Sequence, residues 1–125
     1  MPCGGAAGGC RRVITLHGYW RSTASYRVRI ALGLKDLDYR QVTHDLRAGE
    51  QRASDFTALS PQGLVPALCD NGEALTQSLA IIEWLDERWP GAPLLPADPL
   101  GRARVRMLAD MIACDVHPVN NLRVL

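Results

Sequence analysis

Residues 19–30 read YWRSTASYRVRI, a run of hydroxyl side chains followed by an apolar, arginine-bearing segment that continues to Lys35. The short apolar stretch VITL at 13–16 precedes them. This order predicts a β-strand that turns into an α-helix, with Ser22 or Thr23 as the helix cap. The first N–H groups of a helix lack intrahelical partners, and the helix dipole favours negative charge there. The corner is therefore a candidate site for stabilising an anion.

The hydroxyl of Ser22 has two interpretations that its spacing leaves open. It can cap the helix, which is the common use of serine at such a position. It can also direct its O–H, together with the helix N-terminus, at an external anion. A thiolate suits the corner, because lowering a thiol pKa from about 8.5 by about two units needs only ~2.7 kcal/mol. Ala24 stands where a redox CxxC motif would begin, which disfavours a thioredoxin-like redox activity and requires the sulfur to come from a bound thiol.

Two further segments favour an extended, anionic ligand. Val65-Pro66 precedes a strand-like run, where the proline either begins the strand or forms a cis bond that leaves the Val65 backbone free to pair with a peptide. Gln77 and Ser78 open a later helix, either as caps or as donors to a carboxylate. Both pairs of alternatives stay open. Together the segments would suit a short anionic peptide that carries a thiol.

The remaining pattern predicts a β-α-β-α-β-β-α order over residues 13–90. A second strand is expected at 39–43, a short helical piece at 55–59, and a hairpin at 70–72, where the sequence reads DNG. Parallel strands joined by a right-handed crossover, followed by a terminal hairpin, give a small mixed sheet with helices on both faces. The predicted fold class is thus α/β and thioredoxin-like. The helix residues expected to be apolar and packed are Val28, Ile30, Leu32 and Leu34 in the first main helix, and Leu79, Ile82, Leu85 and Trp89 in the last.

Residues 91–98 read as a proline-rich linker, and residues 99–125 as the start of an all-α domain. Asp98 is the expected cap and Pro99 the first residue of the new helix. An apolar stripe on this helix has too little of the sequence to pack against, so we expect missing helices of an incomplete helical domain, a partner subunit, or both. The residues of the stripe are Val105, Leu108, Ala109 and Ile112.

Composition points away from several function classes. A net charge of +1 gives no reason to expect nucleic acid or an anionic membrane as a partner. No apolar run approaches the ~20 residues that would span a bilayer. The three histidines and four cysteines lack metal-ligand or disulfide-framework spacing, so we expect no metal and a cytoplasmic location, with Cys69 and Cys114 in the core. Residues 1–12, rich in Gly and Ala and without an apolar h-region, are expected to be a disordered tail.

Three motifs together resemble the zeta-class glutathione transferases, and within that class the maleylacetoacetate isomerases. They are RSTASYRVRIAL at 21–32, GLVPAL at 63–68 and QSLAIIEWL at 77–85. The run DMIACDVHPVNNLRVL at 110–125 is similar to the first helix of that family's helical domain. The resemblance covers residues 13–125 and implies the glutathione transferase N-terminal fold, followed by part of its helical domain.

The resemblance also implies bound glutathione, with Ser22 and Thr23 as catalytic hydroxyls at the thiolate. The family signature at this point is Ser-Ser-Cys, so Ala24 departs from it. The glutathione-binding residues that it implies are Ser22, Thr23, Ala24, Ser25, Tyr26, Arg27, Gln51 at the glycine end, Val65 at the cysteinyl unit, and Gln77 and Ser78 at the γ-glutamyl carboxylate. The residues that it places at the border of the substrate site are His117, Asn121, Leu122 and Arg123.

The reaction implied by the resemblance is cis–trans isomerisation of maleylacetoacetate to fumarylacetoacetate, in the breakdown of aromatic amino acids. The glutathione thiolate acts as the nucleophile on a small acidic substrate, and the enzyme acts as a homodimer. Two enzymatic alternatives stay open: conjugation or dehalogenation of small α-halo acids, and isomerisation of maleylpyruvate. A non-enzymatic alternative is a truncated glutathione-binding or dimerisation module.

Overall fold

The computed structural model describes residues 13–120 of the chain. The predictions for the tail at 1–12, and for Asn121, Leu122 and Arg123, lie outside the described residues. The main elements are β1 (Ile14–Gly18), α1 (Thr23–Leu34), β2 (Tyr39–Thr43), α2 (Ser54–Leu59), β3 (Ala67–Asp70), β4 (Glu73–Thr76), α3 (Ser78–Arg88) and α4 (Pro99–Asp110). Shorter helical turns are a 3₁₀ turn at Glu50–Arg52, a π-helical turn at Met111–Val116 and a 3₁₀ turn at His117–Asn120.

The sheet has four strands in the order β2-β1-β3-β4. β1 is parallel to β2, and its other edge pairs antiparallel with β3. β3 and β4 form the expected hairpin, in which Asn71 and Gly72 both have positive φ, 52° and 86°. Such φ values are those that a two-residue turn of type I′ requires, which explains the preference for Asn-Gly. The mixed thioredoxin-like sheet predicted from the sequence is confirmed.

The core lies between one face of the sheet and helices α1 and α3. Ile14 and Leu16 alternate along β1 and point into it, and Leu16 is fully buried. The prediction for α1 is half right, because Ile30 and Leu34 are 46% and 62% exposed. Since a helix presents only one stripe to a sheet, residues on its far side stay outside the core. In α1 the buried apolar residues are Val28, Ala31 and Leu32.

The buried line of α3 is shifted from the predicted one. Ile81 and Leu85 are fully buried, whereas Leu79, Ile82 and Trp89 are only partly buried. Ser78 lies on the same line as Ile81 and Leu85, because residues three and four apart share a helix face. The apolar pattern of the sequence therefore has two overlapping registers, and packing on the sheet selects the one that begins at Ser78.

Lys35 joins the end of α1 to the end of α3. Its side chain is fully buried, and its Nζ lies 2.7 Å from Asp86 Oδ1 and 2.7 Å from the carbonyl oxygen of Trp89. It also donates to the carbonyls of Gly91 and Ala92, at 3.2 and 3.3 Å. Burial raises the pKa of Asp86, but the bonds from Lys35 and from backbone N–H groups outweigh it and hold that pKa below its ordinary value. This ion pair fixes the direction in which the chain leaves α3.

A second, smaller cluster lies on the opposite side of β1. His17 Nδ1 and His44 Nε2 are 3.0 Å apart, and the two rings are stacked with centroids 5.2 Å apart. Phe56 of α2, which is 1% exposed, contacts the His44 ring. Burial is the largest cause that lowers the pKa of both histidines. The charge of His44 lowers the pKa of His17 further, whereas Glu50 and Asp55 partly offset the effect of burial on the pKa of His44. The cluster holds α2 against the sheet.

The two described cysteines differ from expectation. Cys69 in β3 is buried, as predicted, but it is disulfide-bonded rather than a free thiol. Cys114 is a free, exposed thiol, so the prediction that it lies in the core is wrong. Cys114 lies in the π-helical turn after α4, where no other described helix or strand covers its side chain.

Helix α4 begins as predicted and contacts α3 through an ion pair. The carboxylate of Asp98 accepts the N–H of Gly101 at 2.6 Å, and Pro99 occupies the first turn. Arg106 donates to both carboxylate oxygens of Glu83 on α3, at 2.8 and 3.2 Å. The apolar stripe of α4 stays exposed. Within residues 13–120, no helix is long and apolar enough to cross a membrane.

Candidate functional site

The hydroxyl of Ser22 caps α1. Its Oγ accepts the N–H of Ser25 at 3.1 Å, with Ser22 itself in extended backbone geometry. A hydroxyl has one donor and two acceptor positions, so accepting this bond leaves the Ser22 O–H available to donate. The first turn of α1 contains no acidic residue that would repel an anion. The capping and anion-binding interpretations of Ser22 are therefore compatible.

Ser25 and Tyr26 lie away from this hydroxyl. Ser25 is buried and its Oγ accepts the N–H of Tyr19 at 3.4 Å. A Cβ at Gly18 would lie 3.1 Å from the Ser25 side chain, so the strand and helix meet closely here. Tyr26 is 57% exposed, and the guanidinium of Arg29 lies over its ring. The structure gives Ser25 a role in shaping the turn and leaves Tyr26 on the outer face of α1.

A cavity of about 220 Å³ lies where four segments meet: the start of α1, the loop before β3, the start of α3 and the turns after α4. These segments carry the motifs that the sequence singled out. Seven lining residues were not among the predicted site residues: Gln62, Leu64, Pro66, Thr76, Leu79, Ala113 and Cys114. Gln62 lies in a loop without a pattern, and Cys114 resembled a core residue. The lining residues are Ala24, Arg27, Gln62, Leu64, Val65, Pro66, Thr76, Gln77, Ser78, Leu79, Ala113, Cys114 and His117.

The edge of this cavity before β3 is an extended backbone segment. The Val65–Pro66 peptide bond is cis, and β3 begins directly after it at Ala67. Within the described part of the chain, the Val65 N–H and C=O form no backbone hydrogen bond. An extended peptide in the cavity could pair with them as a further strand would.

The start of α3 is a positively polarised part of the cavity wall. No side chain among residues 13–120 caps this helix, so its first N–H groups remain available. Ser78, which is 8% exposed, accepts a hydrogen bond from Arg27 Nη1 at 3.2 Å. Burial lowers the pKa of Arg27, yet guanidinium stays charged at any physiological pH. Helix dipole, hydroxyl and guanidinium together fit a carboxylate.

Gln77 and Gln62 extend this wall. Gln77 has a φ of 70°, in the left-handed region that non-glycine residues seldom adopt. Its Nε2 donates to Gln62 Oε1 at 2.9 Å. The amide of Gln77 is thus directed along the cavity wall rather than back onto α3.

The exposed Thr23 contacts His117, which lines the opposite wall; Thr23 and Ser22 themselves are not among the lining residues. Thr23 Oγ1 lies 2.7 Å from His117 Nδ1, although the residues are 94 positions apart. Burial, and then the charge of Arg27, lower the pKa of His117, so its imidazole is neutral near pH 7. This contact ties the turn after α4 to the first residue of α1.

Gln51 lies outside the cavity lining. It occupies the 3₁₀ turn before α2, where its Nε2 donates to the carbonyl of Leu46 at 3.5 Å. Its Oε1 is buried, with no hydrogen-bond partner among the described residues. An unpaired buried acceptor is costly, so this oxygen would be stabilised by a donor from a ligand or from water.

Two further observations limit the alternatives within the described residues. A second cavity, of about 360 Å³, lies between α3 and α4 but has the Glu83–Arg106 ion pair in its wall. No group of three or more His, Cys, Asp or Glu residues in 13–120 could hold a metal ion. Six of the predicted site residues line the smaller cavity: Ala24, Arg27, Val65, Gln77, Ser78 and His117.

Comparison with known proteins identifies the family. A family model described as "Glutathione S-transferase, N-terminal domain" matches residues 16–93. The chain belongs to the glutathione S-transferase family. The resemblance to its zeta class, predicted from three motifs, is confirmed, as is the thioredoxin-like fold of the N-terminal domain.

The individual relatives of the chain within this family are named isomerases. The chain is 55% identical over 113 residues to maleylacetoacetate isomerase of Pseudomonas aeruginosa, covering 88% of this chain and 53% of that protein. It is 51% identical over 110 residues to maleylpyruvate isomerase of a Ralstonia species, covering 88% and 52%. A crystal structure of maleylacetoacetate isomerase from Methylobacterium extorquens AM1, with bound malonate and glutathione, matches with a TM-score of 0.85 at 54% identity, covering 88% and 52%. The chain spans about half the length of the curated relatives it matches.

Proposed function

We propose that this chain binds glutathione in the 220 Å³ cavity and acts in the glutathione-dependent isomerisation of maleylacetoacetate to fumarylacetoacetate. The observation that carries the proposal is that the uncapped start of α3 and the unpaired Val65 edge line one cavity, whose lining residue Ala24 follows the hydroxyl-capped start of α1. A carboxylate, a peptide backbone and a thiolate are the respective groups that these features bind. Glutathione carries all three.

The carboxylate end of glutathione is assigned to the start of α3. Ser78 offers its hydroxyl and backbone N–H, Gln77 offers its amide, and Arg27 brings a positive charge onto the Ser78 hydroxyl. The Val65 backbone is assigned to the cysteinyl unit, and Gln51 to the glycine end. Gln51 lies outside the lining of this cavity, and its assignment rests on the motif resemblance alone.

The thiolate is assigned to Ser22. The Ser22 Oγ already accepts the Ser25 N–H, which fixes the side chain and leaves its O–H free. A hydrogen bond to a charged acceptor contributes about 1.5–3 kcal/mol, and the helix dipole adds about 0.3–1 kcal/mol. Their sum is comparable to the ~2.7 kcal/mol that a two-unit decrease in thiol pKa requires.

Bound glutathione supplies a nucleophile that adds reversibly to the activated double bond of the substrate, which permits rotation there. The chain's own residues hold that nucleophile ionised and orient it. His117, Asn121, Leu122 and Arg123 are proposed to border the acidic substrate. We further propose a glutathione-binding domain at 13–90, a linker at 91–98 and a helical segment at 99–125, in a cytoplasmic homodimer.

Maleylpyruvate isomerisation is the second candidate, favoured by the 51% identity to the Ralstonia enzyme. The residues at the thiolate would be shared by both reactions, so they do not separate them. Turnover of maleylacetone, maleylpyruvate and dichloroacetate with glutathione ranks the three enzymatic functions. We expect maleylacetone to be converted fastest. Glutathione binding without turnover of any of these substrates would contradict the enzymatic proposal and leave a glutathione-binding module.

A further inference from the structure

Thr23 and Ser22 are neighbouring hydroxyls with different hydrogen-bond partners. Ser22 Oγ accepts from a backbone N–H, which is not a base. Thr23 Oγ1 lies 2.7 Å from an imidazole nitrogen of His117, and imidazole is a base. Ser22 can therefore stabilise a thiolate, but only Thr23 is connected to a group that can hold a proton.

We propose that His117 receives, through the Thr23 hydroxyl, the proton that a thiol bound in this cavity gives up. This inference rests on the proposed glutathione site. Thr23 Oγ1 accepts the thiol proton while its own hydroxyl proton passes to His117 Nδ1. The products are a thiolate and an imidazolium, so no proton is exchanged with solvent, and reversal regenerates the thiol and neutral imidazole. His117 does not contact the thiol itself in this scheme and acts only through the Thr23 hydroxyl.

The observed contact is compatible with both ends of the transfer. Before it, the Thr23 O–H donates to Nδ1 of neutral His117, and the oxygen lone pairs remain free to accept from a thiol. After it, the Nδ1–H donates to Thr23 Oγ1, and the Thr23 O–H donates to the thiolate. The Oγ1 and Nδ1 atoms need not move, because only the direction of the hydrogen bonds reverses.

The surroundings of His117 lower its pKa, so its imidazole is a weaker base until a thiolate forms beside it. The charged group facing it from α1 is Arg27, and the neighbouring thiol in the same cavity wall is Cys114. Burial and Arg27 keep the imidazole neutral without ligand, so it can accept. A thiolate formed nearby would offset the charge of Arg27 and favour the imidazolium.

Histidine NMR tests the transfer directly. Protein labelled with ¹⁵N-histidine would be compared at pH 7.5 without ligand, with glutathione and with S-methylglutathione, which has no thiol proton to give. The His117 signals would be assigned with His117→Gln. We expect most of the His117 population to become imidazolium with glutathione and to stay neutral with S-methylglutathione. Ultraviolet absorbance of the same samples reports whether a thiolate has formed.

Two Thr23 variants complete the test. Thr23→Val keeps the shape of the side chain but removes the hydroxyl, so we expect His117 to remain neutral with glutathione and the thiolate fraction at pH 7 to fall up to about tenfold. Thr23→Ser restores the hydroxyl and is expected to restore both signals. A thiolate that forms in wild-type protein while His117 stays neutral overturns the transfer and leaves the glutathione site intact. Absence of glutathione binding overturns both proposals.

Discussion

Ser22 has two predicted tasks that three substitutions separate. Its oxygen caps α1 by accepting the Ser25 N–H at 3.1 Å, and its O–H is proposed to donate to the glutathione thiolate. Ser22→Ala removes both functions. Ser22→Asp keeps an acceptor for the cap but removes the O–H and adds a negative charge beside the thiolate. Ser22→Thr keeps both functions and is the matched control.

The expected magnitudes follow from these contacts. Loss of a cap costs about 1 kcal/mol, so Ser22→Ala should lower the free energy of unfolding by that amount and Ser22→Asp by almost nothing. Loss of a hydrogen bond to a charged group costs about 1.5–3 kcal/mol, which corresponds to a rise of about one to two units in the pKa of the bound thiol. Ser22→Asp should raise that pKa further, because like charges repel.

Two assays measure the two tasks independently. Urea unfolding followed by circular dichroism gives the free energy of unfolding of each variant. Ultraviolet titration of the bound thiol, with S-methylglutathione as the blank, gives its pKa. A thiol pKa in Ser22→Asp equal to that of the wild-type protein would refute the donor role. A thiol pKa that rises only in the destabilised Ser22→Ala variant would assign Ser22 to the cap alone.

Three other predictions concern the buried Lys35 ion pair, the carboxylate site at Arg27 and the two stacked histidines. Lys35→Met should lower the free energy of unfolding by about 3–5 kcal/mol in urea, because it leaves Asp86 buried without its partner; a loss below about 1 kcal/mol would contradict this. Arg27→Met should weaken glutathione binding by calorimetry about tenfold or more, with partial recovery in Arg27→Lys, and unchanged affinity would remove Arg27 from the carboxylate site. Because burial lowers the folded-state pKa of His17 and His44, the unfolded chain binds more protons in acid, and stability should fall as pH drops below about 6.5. His17→Gln should flatten that decrease in urea unfolding at several pH values; an unchanged slope would contradict it.

Local signals in the sequence predicted much of the fold. Asp98-Pro99, the Asn71-Gly72 turn and the hydroxyls before α1 each act over a few residues, so the spacing alone indicates the element that they begin or join. The burial register of α3 was less predictable, because two apolar stripes overlap in one short helix and only packing on the sheet distinguishes them.

Contacts across the chain could not be derived from spacing. The pairing of Thr23 with His117, and of Arg27 with Ser78, depends on which segments the fold brings to one cavity. Each residue considered alone resembles a helix-end or surface residue. The family resemblance brought all four to attention, but the hydrogen bonds between them required coordinates. Arg27, Ser78 and His117 line one cavity, and Thr23 contacts His117.

The most direct measurement is an ultraviolet titration of glutathione bound to the wild-type protein, with S-methylglutathione as the blank. A pocket that combines the Ser22 hydroxyl with the start of α1 is predicted to lower the thiol pKa from about 8.5 to about 6.5. A bound thiol that ionises at or above pH ~8.5, as free glutathione would, contradicts the proposed function.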